Sequence, residues 1–173
     1  MTYSIPAYSQ HLDIKDKKWR RRSCGVVAFK MVLDFWEKQT SPTFPELLKN
    51  GQKMKAYIRG VGWSHAGIAK LAKKYGFAGK NFDWFLKKSE WAFKKTRIFL
   101  KTGPVIVSIH KDLNPKKSGH LVVVTRITAS RVYYLDPDAY ARDNIRRVAS
   151  KKRFLAGWKR RMIIVRPRGL HRK

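Results

Sequence analysis

The stretch Arg22-Ser23-Cys24-Gly25-Val26-Val27-Ala28-Phe29-Lys30-Met31-Val32 decides how this chain is read. From Cys24 onward, apolar residues recur at Val27, Ala28, Met31, Val32, Phe35 and Trp36. That spacing is one face of a helix. It predicts a buried helix from Cys24 to about Lys38-Gln39. Ser23 is the expected N-cap, its hydroxyl accepting an orphan backbone N–H of the first turn. Cys24 is the only cysteine in 173 residues. At the positive end of the helix dipole its thiolate is favoured and its pKa falls. Taken alone, a cysteine heading an apolar face reads as a small core residue. The rest of the chain reverses that reading.

At 173 residues, with 43% hydrophobic and 13% aromatic content, the composition is globular. The expectation is one domain, residues 1–173, ending in a basic tail over 166–173. One cysteine makes no internal disulfide and cannot by itself make a zinc site. No run of eighteen apolar residues is present, so no transmembrane segment is expected. The opening Met1-Thr2-Tyr3-Ser4-Ile5-Pro6 lacks the basic-then-apolar pattern of a signal peptide, which predicts a cytoplasmic protein. Forty Lys and Arg against eleven Asp and Glu give a net charge of +29. Such a field attracts nucleic acid and other polyanions non-specifically. The lysines are scattered as doublets, such as Lys73-Lys74 and Lys116-Lys117, and form no single binding arm.

Working outward, residues 3–10 read as a short extended segment and His11 to Arg22 as a charged loop. Phe44 to Leu48 reads as a short helix that Gly51 stops. Residues 52–60 show no period. Gly62 to Gly76 reads as a helix capped by Ser64, with Ile68, Leu71, Ala72 and Tyr75 inward and Gly76 as the stop. Residues 83–101 carry a helical pattern with Trp84, Phe85, Trp91, Ile98, Phe99 and Leu100 expected inside. After Gly103-Pro104 the period changes. Val105–Ile109, Leu121–Thr125, Arg131–Leu135 and Met162–Val165 are β-rich runs. Helices first and strands second argue an α+β fold: N-terminal helices packed on a C-terminal antiparallel sheet.

Two strand edges hold residues that a core does not ask for. His120 opens the most apolar strand, and Asp136 closes the next one, before Pro137. If these strands form a hairpin, His120 and Asp136 fall at the same end of it. Asp136 then orients the imidazole, whose other nitrogen can face Cys24. Nucleophile, base and orienter are the roles that covalent acyl transfer needs. Gln10 offers a side-chain N–H for an oxyanion, beside the backbone N–H of Cys24. Asp138 is an alternative orienter. His110, at the end of a strand near Asp112, is the rival base, and His65 reads as a surface or capping residue.

On these residues the chain resembles the C39-like cysteine peptidases, a branch of the papain-like fold. The motifs are Tyr8-Ser9-Gln10, Cys24-Gly25 running into Met31-Val32-Leu33, and Gly67 with Leu71-Ala72 and Tyr75-Gly76. Gly103-Pro104-Val105-Ile106-Val107, Gly119-His120-Leu121-Val122-Val123-Val124 and Asp136-Pro137 complete the set. Val26 stands where the family often has Pro after Cys-Gly. The resemblance runs from residue 3 to about 165. It implies a papain-like fold and a cysteine peptidase acting on a peptide or protein, with Cys24 as nucleophile, His120 as general base, Asp136 as orienter and Gln10 as oxyanion donor. It implies no metal or organic cofactor. The alternatives are an acyltransferase or deamidase using the same site, and a non-catalytic basic protein binding nucleic acid or an anionic surface.

Overall fold

The computed structural model describes residues 3–169. Five helices are formed: α1 (Cys24–Trp36), α2 (Phe44–Lys53), α3 (His65–Lys74), α4 (Ser89–Leu100) and α5 (Lys151–Gly157). A two-residue hairpin, β1 (Tyr57–Ile58) with β2 (Gly62–Trp63), precedes α3. The main sheet holds β3 (Phe77–Asp83), β4 (Val105–His110), β5 (Gly119–Ile127), β6 (Arg131–Leu135), β7 (Arg146–Ser150) and β8 (Trp158–Pro167). Its order is β3-β8-β4-β5-β6-β7, every pair antiparallel.

Both faces of the sheet are covered. Ile106, Val123 and Ile163 join Val27, Phe29 and Met31 of α1 in one core. Val107, Val122 and Met162, their strand neighbours, join Phe93 of α4 and Phe154 of α5 in a second. Strands buried on both faces need apolar residues at successive positions. That is why Leu121-Val122-Val123-Val124 does not alternate. The expected α+β architecture is therefore found, with α4 and α5 adding a layer on the far face.

Several local expectations need correction. Ser23 does not cap α1: its hydroxyl donates to the Trp19 carbonyl at 2.7 Å. The helix ends at Trp36, earlier than Lys38-Gln39. Helix α2 opens with a Thr43–Glu46 capping box but runs through Gly51 to Lys53. Gly51 is not a stop there, because the Trp63 indole lies where its Cβ would be. The extended segment 3–10 joins no sheet. The helical pattern 83–101 begins only at Ser89, and its buried face is Ala92, Phe93, Thr96 and Leu100. Phe85, Trp91 and Ile98 are 57%, 42% and 50% exposed. The cap of α3 behaves as read, since Ser64 Oγ accepts the Gly67 N–H and Gly76 takes φ +82°.

The basic tail also changes. Arg166 and Pro167 belong to β8. The Arg166 guanidinium is buried and donates to the carbonyls of Phe99, Gly103, Pro104 and Val165 at 2.8–3.1 Å. It staples the turn that leads into β4. Burial without a carboxylate beside it lowers its pKa to about 10. Residues 170–173, the rest of that tail, lie outside the described residues. Among the described residues, no helix is long and apolar enough to cross a membrane.

Candidate active site

Cys24 is the first residue of α1 and is half-buried. Its position is fixed from behind. The Trp63 indole N–H donates to the Arg22 carbonyl at 2.6 Å. A Cβ on Gly25 would stand 2.5 Å from the Trp63 Cβ. Only glycine lets the helix start approach this tryptophan so closely.

Strand β5 carries His120 opposite Ile109 of β4. Strand β6 pairs beside β5, Leu135 facing Val123, so Asp136 arrives near the His120 end. His120 Nε2 and Asp136 Oδ1 lie 2.7 Å apart, and both residues are buried. Asp136 also accepts the Asp138 backbone N–H at 2.9 Å and lies 3.3 Å from the Arg147 guanidinium. With Nε2 so engaged, Nδ1 is the ring nitrogen left for Cys24. The thiol and the imidazole share a cleft of about 260 Å³.

The electrostatics follow from this packing. Burial by itself raises the Cys24 pKa, but the hydrogen bond and charge of His120 outweigh it, helped by backbone bonds at Leu121 and Gly25. The net direction is down. Burial also opposes a charged His120, yet the bonds to Asp136 and Cys24 raise its pKa to about 10. Burial pushes Asp136 up, and the bond and charge of His120 bring it below the ordinary carboxylate range. The arrangement favours a thiolate–imidazolium pair backed by a carboxylate at neutral pH.

Asp138 is occupied elsewhere. It accepts Gln10 Nε2 at 2.5 Å and lies 2.8 Å from His11 Nε2 and 2.5 Å from Lys111 Nζ. Gln10 is 3% exposed, and its Oε1 has no partner among the described residues. His110 turns to the Lys117 carbonyl at 2.9 Å, while Asp112 pairs with Lys117. His110 does not line the Cys24 cleft. The structure thus brings Cys24, His120 and Asp136 together, sets Gln10 against Asp138, and leaves His110 outside.

Three basic side chains of the cleft were not singled out by sequence as site residues: His65, Lys159 and Arg161. In a chain of forty cations nothing in the sequence marks these two basic residues. His65, read as surface or capping, is half-buried with Nε2 inaccessible. A larger cavity, about 810 Å³, lies between the Asp13–Trp19 loop and α2 and holds none of these groups. Among the described residues, no cluster of three His, Cys, Asp or Glu side chains is placed to hold a metal ion.

A cysteine at the head of a helix thus faces a histidine on a strand, backed by an aspartate just past the end of the neighbouring strand. The chain belongs to the Peptidase_C39 like family, whose model matches residues 2–162. Among solved structures it is similar to the peptidase domain of Streptococcus ComA, a bi-functional ABC transporter involved in a quorum sensing pathway. That match has 20% identity and a TM-score of 0.66 and covers 96% of this chain and 99% of that one. A Bacillus anthracis protein assigned as a C39-like peptidase matches at 17% identity and a TM-score of 0.66, covering 96% of each chain. A double glycine motif protease from an AMS/PCAT transporter, solved in complex with the leader peptide, matches at 17% identity and a TM-score of 0.64. There the coverage is 96% of this chain and 94% of that one. At these identities the likeness is one of fold. No curated protein matches the chain by sequence.

Proposed function

We propose that this protein is a cysteine peptidase that cleaves peptide bonds through a thioester acyl-enzyme. The observation that carries the reading is the linked contact of Cys24 and His120 in one cleft with Asp136 behind the imidazole, the thiol pKa lowered and the imidazole pKa raised. Membership of a peptidase family supports it. A structural neighbour crystallised with a leader peptide supports a peptide as the substrate.

In the first half-reaction, the Cys24 thiolate attacks the peptide carbonyl carbon. The backbone N–H of Cys24 stabilises the oxyanion, with the Gln10 amide, whose Nε2 is bonded to Asp138 and lies 3.4 Å from His11 Nε2, as the second donor once it turns to the substrate. His120 passes its proton to the amine as the C–N bond breaks, leaving a thioester and a neutral imidazole. In the second, His120 takes a proton from water, the resulting hydroxide opens the thioester, and the thiolate–imidazolium pair returns. Asp136 holds the ring in the tautomer both steps require and stays ionised throughout.

Product analysis separates this reading from acyl transfer at the same site. A mixture of protein-derived peptides is incubated with the enzyme in heavy-oxygen water containing a primary amine, and the products are weighed by mass spectrometry. Hydrolysis puts one heavy oxygen on each new carboxyl terminus. Amide adducts in their place would make the protein a transferase.

A further inference from the structure

The titratable side chains that line the cleft beside Cys24 and His120 are all basic, the Asp136 carboxylate lying behind the imidazole and outside the cleft. Lys159, Arg161 and His65 line the cleft, and among the described residues no carboxylate does. The backbone is built to put Lys159 there. Ser108 of β4 pairs with Arg161 and the next residue, Ile109, pairs with Trp158. Lys159 and Arg160 are therefore extra residues in β8, pushed out of the ladder. Arg160 pays for the bulge with φ +55°, a left-handed conformation that is costly for a non-glycine residue. Its own side chain turns away, over the Phe85 ring and onto Ser89 Oγ at 3.2 Å. Lys159 is left on the cleft side, its ammonium 3.4 Å from where a Cβ would stand on Gly119, the residue before His120. Bulges next to active sites commonly re-aim a side chain in this way.

Two further facts mark the cluster as a receptor for an anion. Among the described residues Lys159 has no carboxylate partner, whereas Arg161 is tied to Asp83 at 2.8 Å. His65 Nε2 is buried without a partner among the described residues. Burial, then the charge of Arg161, push the His65 pKa down, with Asp83 opposing and Lys159 adding to the fall, so the ring is neutral at pH 7 and able to donate one N–H. An ammonium, a guanidinium and a neutral N–H converging on one small space are matched by a carboxylate.

We infer that Lys159, with Arg161 and His65, selects acidic peptides, by binding an Asp or Glu side chain close to the bond that Cys24 attacks. This rests on the peptidase reading and names its substrate class. The small cleft places that acidic residue within about two positions of the scissile bond, at roughly 3.3 Å of extended chain per residue.

The test does not require a known substrate. Cys24, the only thiol, is alkylated with iodoacetate, which is anionic, and with iodoacetamide, which is neutral. The ratio of the two rates cancels the thiol pKa and reports the local field. In Lys159→Glu the ratio falls about tenfold, and in Lys159→Ala by less, as loss of a cation beside the sulfur requires. Lys38→Glu makes the same change in net charge just past the opposite end of α1, about 20 Å from Cys24 at 1.5 Å per residue, and leaves the ratio within about twofold. Cleavage of a mixed peptide library then favours bonds flanked by Asp or Glu in the wild type, and Lys159→Glu loses that preference. An activated thiol with an unmoved ratio, or an anion-sensitive thiol with no acidic preference in the library, overturns the inference and leaves the peptidase reading standing. An ordinary, unactivated thiol overturns both.

Discussion

Replacing Cys24 with alanine abolishes peptide turnover, a loss of about 10⁴-fold or more, while the protein stays folded. The chain has no second thiol to take over the attack. The structural cost is small because the side chain is only half-buried and lines a cleft. Truncation removes one sulfur and leaves the Gly25–Trp63 contact and the Trp63–Arg22 bond in place. The checks are kcat on the best library peptide and the thermal unfolding midpoint. Turnover surviving in Cys24→Ala would mean that the cleft works through another group.

The second large effect separates two aspartates two residues apart. Asp136→Ala lowers kcat by about 10⁴-fold, the size of loss seen when the orienter of a triad histidine is changed. It takes away the 2.7 Å partner of His120 Nε2 and with it the main support for a charged ring. The imidazole pKa then falls from about 10, because burial opposes the charge and less remains to offset it. Asp138→Ala acts differently. It frees Gln10, His11 and Lys111 and leaves the His120–Asp136 contact in place. Its effect falls on oxyanion stabilisation, and the titration of His120 moves little. The histidine titration followed by NMR in both variants decides the matter. A larger shift in Asp138→Ala than in Asp136→Ala would reverse the assignment.

The sequence made some of this legible for definite reasons. The α1 stripe and the β4, β5 and β6 runs are long apolar signals, and hairpin geometry alone put His120 and Asp136 at one end. The missed strand β3 reads Phe-Ala-Gly-Lys-Asn-Phe-Asp, with Gly79 and Asn81 breaking any β pattern. Gly79 is there because α3 passes so close that a Cβ would strike the Ala69 carbonyl. Strand β7 buries only Ala149 and so shows no alternation. In the segment 83–101 the aromatic residues misled, because Phe85 and Trp91 cover the surface while small Ala92 and Thr96 face the core. Arg166 looked like part of a solvated tail, and only the carbonyls gathered around it reveal a buried staple. The bulge at Lys159 and Arg160 depends on pairing with β4, which no local pattern records.

The most direct test of the central claim is the pH dependence of Cys24 alkylation by iodoacetamide in wild type and His120→Ala. The thiolate is the reactive form. In the wild type the imidazolium holds the thiol pKa below its ordinary value, so labelling persists as the pH falls well under 8.5. In His120→Ala only the backbone bonds at Leu121 and Gly25 still oppose burial, the thiol pKa rises, and labelling at pH 6.5 slows by at least about tenfold. Superimposable profiles with an ordinary thiol midpoint would contradict the account: Cys24 and His120 would be neighbours in a cleft and not a working pair.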